Sequence, residues 1–285
     1  MDPTSAPVGV FDSGIGGLTV LRALLAELPH ERFTYLGDTA RLPYGTKSGE
    51  TVVRYSLHAA EALLDLGVKC LVVACNTASS VGLQAIRELV GPLPVIGVIE
   101  PGAEAACRAS RSGHIAVMAT ERTVSGGAYQ QAILRRRPDA RVDALAAQLL
   151  VALAEEGLSE GPIAESVVRH YLGALFERGG AEPGAGRGAA EGASIPDTVV
   201  LGCTHFPALA PAIRAVVGPR VRIVDSAETT ARAVREELSA LGIACASGAS
   251  EVQYIATDGT ERFARIGSRF LGQAILPDEV QLIDL

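Results

Sequence analysis

Leu71-Val72-Val73-Ala74-Cys75-Asn76-Thr77-Ala78-Ser79 is the stretch that decides the reading of this chain. A short apolar run ends in a cysteine, and small polar residues then open a helix. The same design returns as Val199-Val200-Leu201-Gly202-Cys203-Thr204-His205-Phe206-Pro207. In an α/β protein the carboxyl ends of strands are where ligands bind. A thiol there sits beside a helix N-terminus, whose dipole and free N–H groups favour the thiolate. Two such thiols can face one small substrate from opposite sides. That arrangement suits moving a proton across a carbon centre.

Outward from these two stretches, apolar strands alternate with amphipathic helices. Val8-Gly9-Val10-Phe11 reads as a strand, and Asp12-Ser13-Gly14-Ile15-Gly16-Gly17 as a tight turn into a helix over 18–27. Further strands are expected at 33–36, 95–98, 115–118, 142–145, 221–224 and 252–256. Helices are expected at 51–66, 125–136, 162–178, 208–217, 229–241 and 260–271, with a tail beyond. Such alternation predicts α/β architecture, with mostly parallel sheets flanked by helices and joined by right-handed crossovers. Residues 8–13 are echoed at 115–120, each a strand ending in small polar residues. The echo predicts two pseudo-symmetric domains with the active site in the cleft between them. The expected division is 1–98 plus 211–285 for the first domain and 99–210 for the second. Residues 179–194 are Gly-rich, without periodicity and with nothing to bury, and are expected to form a solvated surface insertion.

Composition removes several classes of function. A chain of 285 residues with 48% apolar and 20% charged content can bury a substantial core. Its net charge is −7, and no basic cluster exceeds Arg135-Arg136-Arg137, which argues against a nucleic-acid surface. No apolar run is long enough to span a membrane, and the first residues lack the features of a signal peptide. A cytoplasmic location with five reduced cysteines is therefore expected. No C-x-x-C pair occurs, so no structural zinc or other metal is expected. The only lysines are Lys47 and Lys69, and Lys69 stands at the wrong end of its strand for a pyridoxal Schiff base. No cofactor is expected.

The glycine turn invites a dinucleotide reading, but Thr19 stands where the third glycine belongs, and Asp12 puts a carboxylate where pyrophosphate would lie. A better fit has the turn's N–H groups binding a carboxylate while Asp12 meets an ammonium or a thiol proton. Strand alternation sets Leu71, Val73 and Cys75 on one face and Cys70 on the other. Cys70, Cys107 and Cys245 read as small buried hydrophobes. Of five histidines only His205 adjoins a motif, where it could orient substrate or tune the thiol. His30, His58, His114 and His170 read as surface or packing residues. A Cys/His hydrolase accounts for Cys203 and His205 but leaves Cys75-Asn76-Thr77 without a role.

Taken together, these stretches resemble the glutamate racemases, within the cofactor-independent aspartate/glutamate racemase family. The matching segments are Phe11-Asp12-Ser13-Gly14-Ile15-Gly16-Gly17-Leu18, Asp38-Thr39 with Pro43-Tyr44-Gly45, Ala74 to Ser79, Pro94 to Val98, Ala119-Thr120 and Leu201 to Pro207. His205 matches the glutamate members, whereas the related aspartate racemases typically have Glu there. The resemblance implies conversion of L-glutamate to D-glutamate for peptidoglycan, with no cofactor and with a homodimer as the working form. It implies that Cys75 and Cys203 each serve as acid or base on one face of the α-carbon. Asp12 would assist Cys75, and His205 with Glu155 would assist Cys203. Substrate would be held by Asp12, Ser13, Pro43, Tyr44, Gly45, Asn76, Thr77, Thr120, Thr204 and His205. Two departures stand out: Gln148 and Leu149 where the family usually shows Cys-Pro, and the Gly-rich insertion. The rival readings are a racemase of another acidic amino acid such as aspartate, and a non-catalytic amino-acid-binding or partner-binding protein.

Overall fold

Runs of three to six residues, too short for a helix and richest in apolar side chains in the inner strands, form the strands of this chain. A computed structural model describes residues 3–176 and 195–285. The expectation for residues 179–194 lies outside the described residues. The first part holds β1 (Val8–Asp12), α1 (Leu18–Glu27), β2 (Arg32–Gly37), α2 (Gly49–Asp65), β3 (Cys70–Val73), α3 (Asn76–Val81), α4 (Leu83–Val90) and β4 (Val95–Gly97). The middle holds α5 (Ile99–Ala109), β5 (His114–Ala119), α6 (Glu121–Gly126), α7 (Ala128–Arg136), β6 (Arg141–Ala146), α8 (Leu149–Glu156) and α9 (Pro162–Phe176). Then follow β7 (Thr198–Gly202), α10 (Ala210–Val217), β8 (Arg222–Asp225), α11 (Ala227–Ala240), β9 (Glu251–Ala256), α12 (Thr260–Leu271) and β10 (Val280–Leu282).

Every paired strand runs parallel to its neighbour. One sheet has the order β10-β9-β2-β1-β3-β4 and the other β6-β5-β7-β8. The run β2-β1-β3-β4 and the run β6-β5-β7-β8 share one winding, so the second sheet repeats the heart of the first. The register makes the repeat exact to the residue. Val8 lies opposite Cys70 and Ile115 opposite Thr198, and five residues beyond each of those partners come Cys75 and Cys203. The expected pseudo-symmetry is thus present in the strand pairing.

Several features differ from the expectation. Residues 125–136 are not one helix, because Gly127 adopts a left-handed conformation (φ 67°) and breaks the run into α6 and α7. Helix α5 went unread because Pro101 and Gly102 obscure its pattern, although proline is tolerated in a first turn. The tail contains a strand, β10, on the edge of the first sheet, where β9 satisfies its backbone. In addition, β8 pairs with β7, so the second sheet continues beyond residue 210, where the expected border lay.

One core runs beneath both sheets. It joins Val10, Leu21, Tyr35 and Val72 to Val117, Ile133 and Val200. A separate cluster covers the other face of the first sheet and includes Phe11, Leu36, Leu63, Leu71, Val73 and Cys75. Each fully buried Leu or Val stabilises by roughly 1.5–3 kcal/mol. Cys70, Val72 and Ala74 belong to the first cluster, so strand alternation separates Cys70 from Cys75 as expected. Cys107 and Cys245 are only half-buried, Cys245 because it lies in the connection between α11 and β9. Lys69 sits at the amino end of β3, paired with buried Glu31 at 2.6 Å, far from the strand ends that carry the motifs. No described helix is long and apolar enough to cross a membrane.

Candidate active site

Cys75 follows β3 directly and is the N-cap of α3, its sulfur accepting the Ala78 N–H at 3.4 Å. The thiol in turn donates to Ser13 Oγ at 3.4 Å. Burial first, and then the Asp12 carboxylate, push the Cys75 thiol up to about 12, against the opposing pull of Ser13 and the Ala78 N–H. Desolvation thus exceeds what one helix N-terminus returns. At rest Cys75 is an acid.

Cys203 has a different setting. Strand β7 delivers it to a 3₁₀ turn (Phe206–Leu209) rather than to a capped helix. His205 Nδ1 lies 3.7 Å from its sulfur, and His205 Nε2 lies 3.1 Å from Glu155 Oε1. Arg262 donates to the other Glu155 oxygen at 2.8 Å. Burial opposes charge on His205, but its hydrogen bonds to Cys203 and Glu155 outweigh that and raise it to about 10. Glu155 is held below the usual carboxylate range: burial opposes this, but His205 and Arg262 prevail. Phe270 closes the ring from the side, edge to face at 5.3 Å. A doubly protonated His205 therefore donates to both neighbours and is placed to stabilise negative charge on Cys203.

Asp12 ends β1, wholly buried, behind Ser13 and Cys75 rather than in the cleft wall. The turn that follows does not offer its N–H groups to a ligand in the way the sequence suggested. Gly14 N–H donates to Asp12 Oδ2 at 2.9 Å, and the N–H groups of Ser13 and Gly17 also turn towards that carboxylate. Burial still raises Asp12 above its ordinary value, with His205 opposing. Its Oδ1 has no hydrogen-bond partner.

The two cysteines line one narrow cleft. Ser13, Asn76 and Thr77 stand on the Cys75 side, and Thr120, Thr204 and His205 on the Cys203 side. Pro43, Tyr44 and Gly45 close one end from the loop after β2, where Tyr44 donates to buried Asp38 at 2.5 Å. Thr77 and Thr120 meet at 2.9 Å, and Tyr129 OH donates to Asn76 Oδ1 at 2.7 Å, so hydrogen bonds cross the cleft's floor. Asn76 Nδ2 is buried and has no partner. Among the described residues no group of three or more His, Cys, Asp or Glu side chains is placed to hold a metal ion.

A family model described as Asp/Glu/Hydantoin racemase matches residues 17–183. A glutamate racemase of Geobacter metallireducens is 45% identical over 266 residues, covering 93% of this chain and 92% of its own. The crystal structure of glutamate racemase from Thermus thermophilus, in complex with β-chloro-D-alanine, superposes with a TM-score of 0.82 at 41% identity. It covers 100% of this chain and 99% of its own. That from Francisella tularensis, in complex with D-glutamate, gives 0.86 at 29% identity over 99% and 98%. The chain belongs to the aspartate/glutamate racemase family.

In this aspartate/glutamate racemase the structure gathers every residue singled out from the motifs, with Asp12 and Glu155 one layer behind the wall. Four further residues went unread. Leu42, Val151 and Gln148 line the cleft, and Arg262 orients Glu155 from α12. Gln148 had a signal in the sequence, as a polar residue interrupting an apolar segment. Arg262 had none, because α12 meets α8 only through the tertiary fold.

Proposed function

We propose that the chain interconverts L- and D-glutamate without a cofactor, through two opposed thiols, to supply D-glutamate for peptidoglycan precursors. The observation that carries this reading is the pair Cys75 and Cys203, at equivalent strand ends by register, lining one cleft. Relatives named glutamate racemase at 40–45% identity support the choice of substrate. In this reading each sheet with its helices is one domain. The enzyme works in the cytoplasm as a homodimer.

One sulfur, as thiolate, takes the α-hydrogen of glutamate as a proton, leaving the electron pair on Cα. The opposed thiol then gives its proton to the other face. Thiol and thiolate have changed places, and the reverse reaction uses them in swapped roles. The protonated His205 stands beside Cys203, while Cys75 waits protonated. Asp12, itself raised by burial, is a reservoir for the Cys75 proton in the other direction. Because the Ser13, Gly14 and Gly17 N–H groups turn to Asp12, the free Nδ2 of Asn76 is the donor best placed for the substrate α-carboxylate. A donor there also stabilises charge that develops as the α-proton leaves.

Circular dichroism of L-glutamate and L-aspartate with pure protein separates this reading from its rivals. Loss of the glutamate signal alone is expected. In deuterated water, D-glutamate at a few per cent conversion should carry deuterium at Cα while the remaining L-glutamate stays protiated. Cys75→Ala and Cys203→Ala should each abolish conversion and still fold. Original hydrogen in early D-product would defeat the opposed-thiol mechanism.

A further inference from the structure

Among the described residues in and directly behind the cleft wall, three hold a buried polar atom with no hydrogen-bond partner: Asp12 Oδ1, Asn76 Nδ2 and Gln148 Oε1. The mechanism above uses the first two and leaves the third. Gln148 stands at the N-cap position of α8, yet its side chain makes no capping hydrogen bond. It points into the cleft instead. Its Oε1 would lie 2.8 Å from a Cβ placed on Gly45, and Thr120 Cβ would lie 2.7 Å from that same point. Only glycine at 45 leaves the amide and the Tyr44–Gly45 backbone face to face. An unmet buried amide is destabilising, and a ligand's polar group would offset that.

The groups beside the thiols are occupied with the α-carbon. Asp12 ends β1 and Ser13 follows it, Asn76 and Thr77 follow Cys75, and Thr204 follows Cys203. The wall formed by Gly45 and Gln148 comes from other segments, and it is left for the substrate's third polar group. We propose that Gln148 is a specificity-determining residue that hydrogen-bonds the distal carboxylate of the bound amino acid. This inference rests on the glutamate reading.

The terminal torsion of glutamine is broad and two-fold, so a half-turn presents Nε2–H where Oε1 now stands. The amide then donates to a carboxylate oxygen without burying a second charge. Its reach sets a length. Aspartate, one methylene shorter, leaves the amide unpaired, and a site built to hydrogen-bond a group discriminates against analogues that cannot supply it.

Gln148→Leu and Gln148→Glu test this, the first removing the amide and the second replacing it with a like charge. Both should raise KM for glutamate roughly tenfold or more, as expected for a hydrogen bond to a charged group, with kcat within a few-fold. The preference for glutamate over aspartate in kcat/KM should fall by the same factor. Calorimetric titration with glutamate should show the same loss of affinity independently of turnover. An unchanged KM and an unchanged preference in both variants would overturn the proposal. So would a fall in kcat at constant KM, which would place Gln148 in the orientation of α8 and Glu155. Failure of the intact protein to racemise glutamate would sink the function instead.

Discussion

His205 holds a proton that an ordinary imidazole would give up near neutrality. Glu155 and Cys203 flank the two ring nitrogens, and Arg262 keeps Glu155 ionised. The folded value of about 10 exceeds the ordinary value of roughly 6.5. A group raised on folding contributes stability that is complete below its unfolded value and declines as pH climbs to the folded one. The window here runs from about pH 6.5 to about 10. Urea unfolding of the intact protein and His205→Gln, under reducing conditions, should show the larger difference at pH 6 and a smaller one at pH 9.5. A difference that stays constant or grows with pH would show that His205 carries no such proton. Cys75 offers the opposite case, a thiol that burial, with the Asp12 carboxylate beside it, keeps protonated. Neither contrast is visible in the local sequence, where both residues are cysteines followed by small polar side chains.

At the level of elements, the β1–α1 turn is packed against the Cys203 loop as closely as a chain allows. A Cβ on Gly16 would stand 2.5 Å from both His205 Nδ1 and Thr204 Oγ1. Thr19, one turn further on, donates to Thr204 O at 3.0 Å and holds the two segments together. Gly16→Ala must therefore displace His205 from Cys203. It should lower kcat by tenfold or more, since misplacing a catalytic group by 1 Å costs about 10²-fold. The far-UV spectrum should keep its shape, because the turn lies outside the strands. Full activity in Gly16→Ala would mean that His205 does not need its present position. The helix after Cys75 gives a second, independent measure. Cys75→Ser keeps an acceptor for the Ala78 N–H, whereas Cys75→Ala loses it. The serine variant should therefore be the more stable by about 1 kcal/mol in urea unfolding. Equal stabilities would remove the cap from the account.

For the whole molecule, the decisive feature is that the cleft is shut. Cys75 is 4% exposed and Cys203 6%, although both line it. Hydrogen bonds between Thr77 and Thr120, and the ion pair of Arg262 with Glu155, tie one sheet's elements to the other's. A substrate that enters such a cleft and fills its unmet donors binds the folded chain and not the unfolded one. At a hundred times its dissociation constant, D-glutamate should then add about 2.7 kcal/mol, which raises the melting temperature by several degrees. A melting temperature indifferent to saturating glutamate would contradict binding in this cleft.

The α/β class, the parallel sheets, the strand-end position of both cysteines and the opposite faces of Cys75 and Cys70 were legible along the chain. Those are consequences of local pattern: period two along a strand, period 3.6 along a helix, and the small residues that join them. Most of the cleft was legible as well, because Ser13, Asn76, Thr120 and Thr204 adjoin strand ends that any doubly wound sheet gathers together. The tertiary structure alone decided what each group meets. That Asp12 draws the turn's N–H groups to itself, that β8 belongs to the second sheet and that β10 completes the first depend on distant segments meeting. The same is true of Arg262 reaching Glu155 from α12 and of Gln148 meeting Gly45 in the cleft wall. Burial and unmet hydrogen bonds are properties of packed segments, and no pattern along a single segment records them.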